Sequence, residues 1–214
     1  MNCKDGFVLT IIPPIFLPLI ILLTYKIGSL INQVFLKFML HFINLGLILA
    51  GGVIVRQLTR DPGILSINLI TWFHLDLIYL AWDLQIDSLS AIMLLITSLL
   101  SSMINFYALD YMYADAHYDQ FMALLSLFGL AINCLALTNN LGALYFTWEL
   151  VGICSYLLVV YWKERQHSLK SGFKPILYNK LGDIAYLYSA SLVFDLVKTI
   201  DLELVNLLTP WFRY

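Results

Sequence analysis

Long apolar runs recur along this chain and leave few folds open to it. Six stretches, at about residues 7–24, 35–55, 89–111, 121–137, 141–161 and 173–194, are apolar for most of their length. A helix rises about 1.5 Å per residue, so about 20 such residues cross the ~30 Å hydrocarbon core of a bilayer. A water-soluble domain needs a polar skin and carries roughly 25% charged residues. Here 61% of the 214 residues are hydrophobic and 12% are charged. The fold class this implies is an all-α polytopic membrane protein of about six transmembrane helices, with the lipid bilayer as its main surroundings. The net charge of −2 gives no electrostatic reason to expect nucleic acid.

The chain reads as a single membrane domain over residues 1–214. Lys4 before the first apolar run imitates a signal peptide, but Pro13, Pro14 and Pro18 interrupt the run and no small-residue cleavage site follows. It is read as a first span. Gly46, Gly51 and Gly52 in the second suit close helix approach. Between spans two and three, Arg60-Asp61-Pro62-Gly63 signals a turn. The aromatic and β-branched residues that follow predict a surface β-hairpin over about residues 67–82, with Trp72 and Trp82 suited to the membrane interface. His74, Asp76 and Asp83 break that stretch too often for it to cross a membrane.

Only Thr138-Asn139-Asn140 joins spans four and five, which predicts antiparallel neighbours. Residues 195–214 mix charge and apolar groups and are expected to lie on the surface or lead to a partner. Lys163, Arg165, Lys170 and Lys174 make the loop after span five basic and put it on the matrix or cytoplasmic side.

Three ionisable residues fall well inside apolar spans: Glu149 in the fifth, Lys180 and Asp183 in the sixth. On a lenient scale a charge at membrane depth costs about 2.5–3.5 kcal/mol, and proton or ion pathways are the usual reason to keep one there. Glu149 is a candidate proton carrier; a structural polar group bonded to a neighbouring helix is the plainer reading. Lys180 and Asp183, three apart, share a helix face. Two readings stand side by side: a local ion pair that stabilises the span, or a pair in which Asp183 competes with Glu149 for the ammonium. Gly182 between them suggests close packing or a softened helix.

The remaining chemistry is sparse. His41, His74, His117 and His167 match no ligand spacing, and Cys3, Cys134 and Cys154 form no metal or redox motif. Cys134 and Cys154 lie in apolar spans, where small apolar packing is expected. Asp110, Asp115, His117 and Asp119 read as a solvated loop. No phosphate cradle or nucleophile elbow is present, so neither a metal nor a redox cofactor is expected on this chain.

Trp148-Glu149-x-Val151-Gly152-Ile153 and Ile176-Leu177-Tyr178-Asn179-Lys180-Leu181-Gly182-Asp183 resemble the patterns W-E-G-V-G-I and N-R-[IV]-G-D of chain 5 of NADH:ubiquinone oxidoreductase, the distal antiporter-like subunit of respiratory complex I. Asp87-Ser88-Leu89-Ser90, Thr138-Asn139-Asn140-Leu141 and, more faintly, Ile11-Ile12-Pro13-Pro14-Ile15 add to it. The resemblance covers the whole chain but only about the first third of that family. It implies that Glu149 is the helix-five glutamate of the proton path and Asp183 the helix-six aspartate. Lys180 stands where the family has arginine, which keeps the charge and loses the bidentate fork. Leu150 and Thr147 replace glycines on either side of Trp148-Glu149, which touches local packing. Pro175 replaces a common alanine and is expected in the first turn of span six, where proline is tolerated.

The family resemblance further implies a subunit that couples NADH oxidation and ubiquinone reduction to proton translocation. NADH, FMN, the iron–sulfur clusters and ubiquinone would be bound elsewhere in the complex. The expected partners are other membrane-arm subunits and a second polypeptide carrying the rest of chain 5, and the expected location is the mitochondrial inner membrane. The alternatives are a scaffold fragment of the membrane arm without pumping of its own, and a subunit of a cation/proton antiporter.

Overall fold

The computed structural model describes residues 65–75, 78–115, 117–162 and 165–208. The expected spans at 7–24 and 35–55 lie outside them. The described residues fall into two compact units: one runs from Ile86 to Ala136, the other comprises the hairpin up to Gln85 and the chain from Leu137 onward.

The hairpin pairs β1 (Leu65–Leu75) with β2 (Ile78–Ile86) in a two-stranded sheet, extending past the expected limits at both ends. Trp72 meets Trp82 edge-on with ring centroids 5.7 Å apart, an arrangement that suits the ring quadrupoles. Asn68 Nδ2 donates to Asp83 Oδ1 across the strands at 2.7 Å.

The first unit holds α1 (Ser88–Tyr111) and nearly all of α2 (Tyr118–Leu137). Asp87 starts α1 with a reciprocal cap: its carboxylate accepts from Ser90 N at 2.7 Å, and Ser90 Oγ accepts from Asp87 N at 2.8 Å. The face of α1 that is buried is mostly small or polar, with Ser90, Ala91, Ser98, Ser102, Asn105 and Ala108 beside Leu94 and Leu109, while Ile92, Ile96, Met103 and Phe106 are exposed. This is the reverse of a soluble helix and fits one that faces lipid, where small residues bring helices close. Thr97 Oγ1 donates to Asn133 Oδ1 at 2.7 Å, and a methyl group added at Gly129 would lie 3.2 Å from Ser101 Oγ.

The second unit holds α3 (Leu141–Val159), α4 (Gln166–Val197) and the short α5 (Leu202–Leu208). Asn140 caps α3, its side-chain oxygen accepting from Gly142 N at 2.9 Å. The segment 138–140 is bonded on both sides. Asn139 N donates to Asp83 O (3.0 Å), Leu141 N to Ile200 O (2.9 Å) and Leu202 N to Asn139 O (3.0 Å). The stretch after Asp195, expected to lie on the surface or lead to a partner, is tied back to the start of α3 through residues 200–202.

Among the described residues, three helical stretches are long and apolar enough to cross a membrane: Ser88–Tyr111, Gln120–Leu137 and Leu141–Val159. The sixth expected span forms as α4 but begins at Gln166 rather than 173 and is too polar to qualify by composition alone. Pro175 therefore lies inside the helix and not in its first turn, where it removes one intrahelical donor. The chain-length reason is plain: α4 has 32 residues, so the loop that was expected to reach position 172 is mostly helix.

Candidate functional site in the second unit

α3 places Glu149 near its middle, and α4 brings Lys180 and Asp183 to the same level. Lys180 Nζ donates to both carboxylate oxygens of Glu149, at 2.6 Å to Oε2. It also lies 3.2 Å from Asp183 Oδ2. The ammonium thus bridges both acids at once, and neither the local pair nor the competing pair describes the arrangement alone. Asp183 is buried, with 6% of its side chain exposed, whereas Lys180 is 54% exposed. Asp183 Oδ1 accepts no hydrogen bond among the described residues.

Sequence reasoning missed the groups that hold this cluster. Tyr145, one turn before Glu149, donates its hydroxyl to Glu149 Oε1 at 3.0 Å. Its ring stacks on Tyr186 of α4 with centroids 5.9 Å apart, and Tyr186 donates to Leu141 O at 2.9 Å. The spacing of four between Tyr145 and Glu149 was a usable signal. Gly152 lets the helices meet: a methyl group there would sit 3.3 Å from Asn179 Nδ2, next to Lys180.

The Thr147 replacement is accommodated within α3. Thr147 is buried and donates to Ala143 O at 3.1 Å and Leu144 O at 3.0 Å, within its own helix. Gly182 does not mark close packing, since among the described residues a methyl group there would meet nothing within 4 Å. Cys134 and Cys154 are buried. Among the described residues, no three metal-ligating side chains come together.

With all three groups ionised the cluster holds one net negative charge, and a single added proton makes it neutral. Burying unpaired charge is costly, so both acids depend on the one ammonium, and Glu149 depends on the tyrosine hydroxyl as well. A shared cation that reaches either carboxylate lets the negative charge, and hence a proton, reside on one or the other.

Two family models match the chain. One, described as NADH-ubiquinone oxidoreductase (complex I), chain 5 N-terminus, covers residues 72–122. The other, described as NADH:quinone oxidoreductase/Mrp antiporter, TM, covers residues 138–211 and so includes the whole cluster. The chain belongs to the complex I chain 5 family. NADH-ubiquinone oxidoreductase chain 5 of Dictyostelium citrinum is 34% identical over 148 residues, which is 69% of this chain and 22% of that protein. NADH-quinone oxidoreductase subunit L of Rickettsia bellii is 33% identical over 147 residues, 69% of this chain and 23% of that protein. The chain therefore spans about a quarter or less of the length of these chain 5 relatives. Among solved structures, a chain of the membrane-bound sulfane sulfur reductase, an archaeal respiratory membrane complex, matches with a TM-score of 0.73 at 21% identity, over 91% of this chain and 39% of that one. That likeness establishes a shared membrane fold for the family member described here.

Proposed function

We propose that this chain forms the N-terminal part of the proton-translocating, antiporter-like subunit in the membrane arm of NADH:ubiquinone oxidoreductase. Glu149 is its proton carrier, and Lys180 and Asp183 set the charge around it. The observation that supports this most is one ammonium bridging two carboxylates at the middle of α3, a helix long and apolar enough to cross a membrane. No hydrophobic core needs such a cluster, and its charge changes by one unit with one proton.

In this reading the chain performs no redox step. NADH, FMN, iron–sulfur clusters and ubiquinone belong to other subunits, whose chemistry reaches this region as a change in local charge or hydration. Tyr145 orients the Glu149 carboxylate, and Asp183 takes a larger share of the ammonium whenever Glu149 is protonated. The partners are other membrane-arm subunits and a second polypeptide supplying the remainder of the subunit. The membrane is the mitochondrial inner membrane, and the chain is multi-pass.

Replacing Glu149 by Gln in the assembled complex is expected to lower the protons translocated per NADH oxidised, with electron transfer retained. An unchanged ratio in fully assembled complex would leave the chain as scaffold. A second reading, cation/proton exchange, draws on the antiporter half of the matching description. It requires sodium-dependent proton movement without NADH, measurable in the same vesicles.

A further inference from the structure

The facing ends of α3 and α4 play no part in the cluster described above, yet they are tied together. Ser168 Oγ donates to Val159 O at 2.8 Å, tying the first turn of α4 to the last of α3. At Gly172 a methyl group would collide with the Val160 side chain, so the two helices touch here. The guanidinium of Arg165 lies over the Trp162 ring, 5.1 Å from its centroid.

The cations here do not serve the helix. The positive end of the helix dipole is at its N-terminus, where acids are favoured and cations are not, and the first turn of α4 contains no acid. Over residues 163–174 the sequence sets Lys163, Arg165, Lys170 and Lys174 against a single acid, Glu164. Among the described residues, Arg165, Lys170 and Lys174 enter no ion pair. His167, Lys170 and Lys174, spaced by three and four, form one exposed stripe. Beside it runs a second exposed stripe, Leu169, Phe173 and Leu177, spaced by four and apolar throughout.

The depth of these residues follows from the cluster. Lys180 meets Glu149 halfway along α3, and ten residues of helix, about 15 Å, reach from mid-membrane to the edge of a ~30 Å core. Lys170 then stands at headgroup level, and Lys174 reaches it by extending its own stem outward. Trp162 belongs to the same interfacial layer.

We propose that the junction of α3 and α4 binds the headgroup of an anionic phospholipid, with Lys170, Lys174 and Arg165 on the phosphate and Leu169, Phe173 and Leu177 along the acyl chains. The charge selects an anion, and the parallel apolar stripe selects one that carries hydrocarbon, so a lipid is favoured over free phosphate. Juxtamembrane cations each contribute appreciably to such binding.

The test uses the full chain in mild detergent micelles doped with phosphatidylglycerol or phosphatidylcholine, with retained lipid counted by native mass spectrometry. Wild type is expected to retain phosphatidylglycerol about tenfold over phosphatidylcholine. The K170Q/K174Q double variant should lose most of that preference, and K170R/K174R should restore it. Equal retention of both lipids by the wild type overturns the proposal, whatever the variants do. So does a glutamine variant that keeps the full preference while remaining monodisperse. Complete displacement by millimolar inorganic phosphate assigns a free-anion site instead and likewise overturns it.

Discussion

The polar groups of α1 and α2 and the ionisable groups of α3 and α4 both sit well inside their helices, yet they are satisfied in opposite ways. Ser98, Ser102 and Ser126 donate to carbonyls three or four residues earlier in their own helices, at 2.9, 2.7 and 2.8 Å. Each needs nothing from a neighbour, and each leaves a small surface against which another helix can pack. Glu149 depends on a cation 31 residues away on another helix, and Asp183 depends on the same one. A hydroxyl with a partner in its own turn is cheap to bury. A carboxylate is not, and its loss of partner leaves a buried charge. The first pair of helices shows how polar residues serve packing; the second carries polarity that packing does not require.

Removing the cation tests that contrast most severely. Lys180→Met leaves two carboxylates without an ammonium, and coupled proton translocation should fall to background while Lys180→Arg retains most of it. Ser98→Ala, removing a fully buried polar group from α1, should leave translocation unchanged. Measuring the three variants in one vesicle assay breaks the contrast if the serine variant loses function too.

The glycines sharpen it next. Gly172→Ala drives a methyl group into the Val160 side chain and should destabilise by about 1–3 kcal/mol. Gly129→Ala meets the end of a rotatable Ser101 side chain and should stay within about 0.5 kcal/mol. Thermal unfolding in detergent compares the two, and an equal loss would show both helix pairs to be packed alike.

The smallest effect concerns Asp83, outside the spans. Burial raises its carboxyl pKa above the ordinary aspartate value; the Asn68 hydrogen bond offsets part of this, and the charge of Asp201 adds to it. A raised folded-state value means that Asp83 supports the fold most below the ordinary aspartate pKa and loses that support as pH rises through the folded value. Asp83→Asn should therefore raise Tm slightly at neutral pH, and the gain should vanish toward pH 3. A gain independent of pH would remove the ionisation as its cause.

How much of this was legible in the sequence depended on distance along the chain. Apolar run length located α1, α2 and α3, and alternation with aromatic residues located the hairpin. The three ionisable residues stood out because charge is rare in such runs. Their meeting at one ammonium needed the rotation of α3 against α4, and a one-dimensional pattern carries no such register. Tyr145 was hidden by company: with 13 tyrosines in the chain, a spacing of four from Glu149 did not single it out. The early start of α4 was obscured because residues 166–172 are mostly polar, and polarity reads as loop even where a helix continues. The tie from Asn139 and Asn140 to residues 200–202 joins segments some 60 residues apart in sequence and left no local trace.

As a proton carrier, Glu149 must hold a transferable proton. Infrared difference spectroscopy of the assembled complex, with and without NADH turnover, reads protonated carboxyl groups directly. A carboxyl band that changes on turnover in the wild type and is missing in Glu149→Gln is the predicted result. A difference spectrum identical in the two proteins would contradict it.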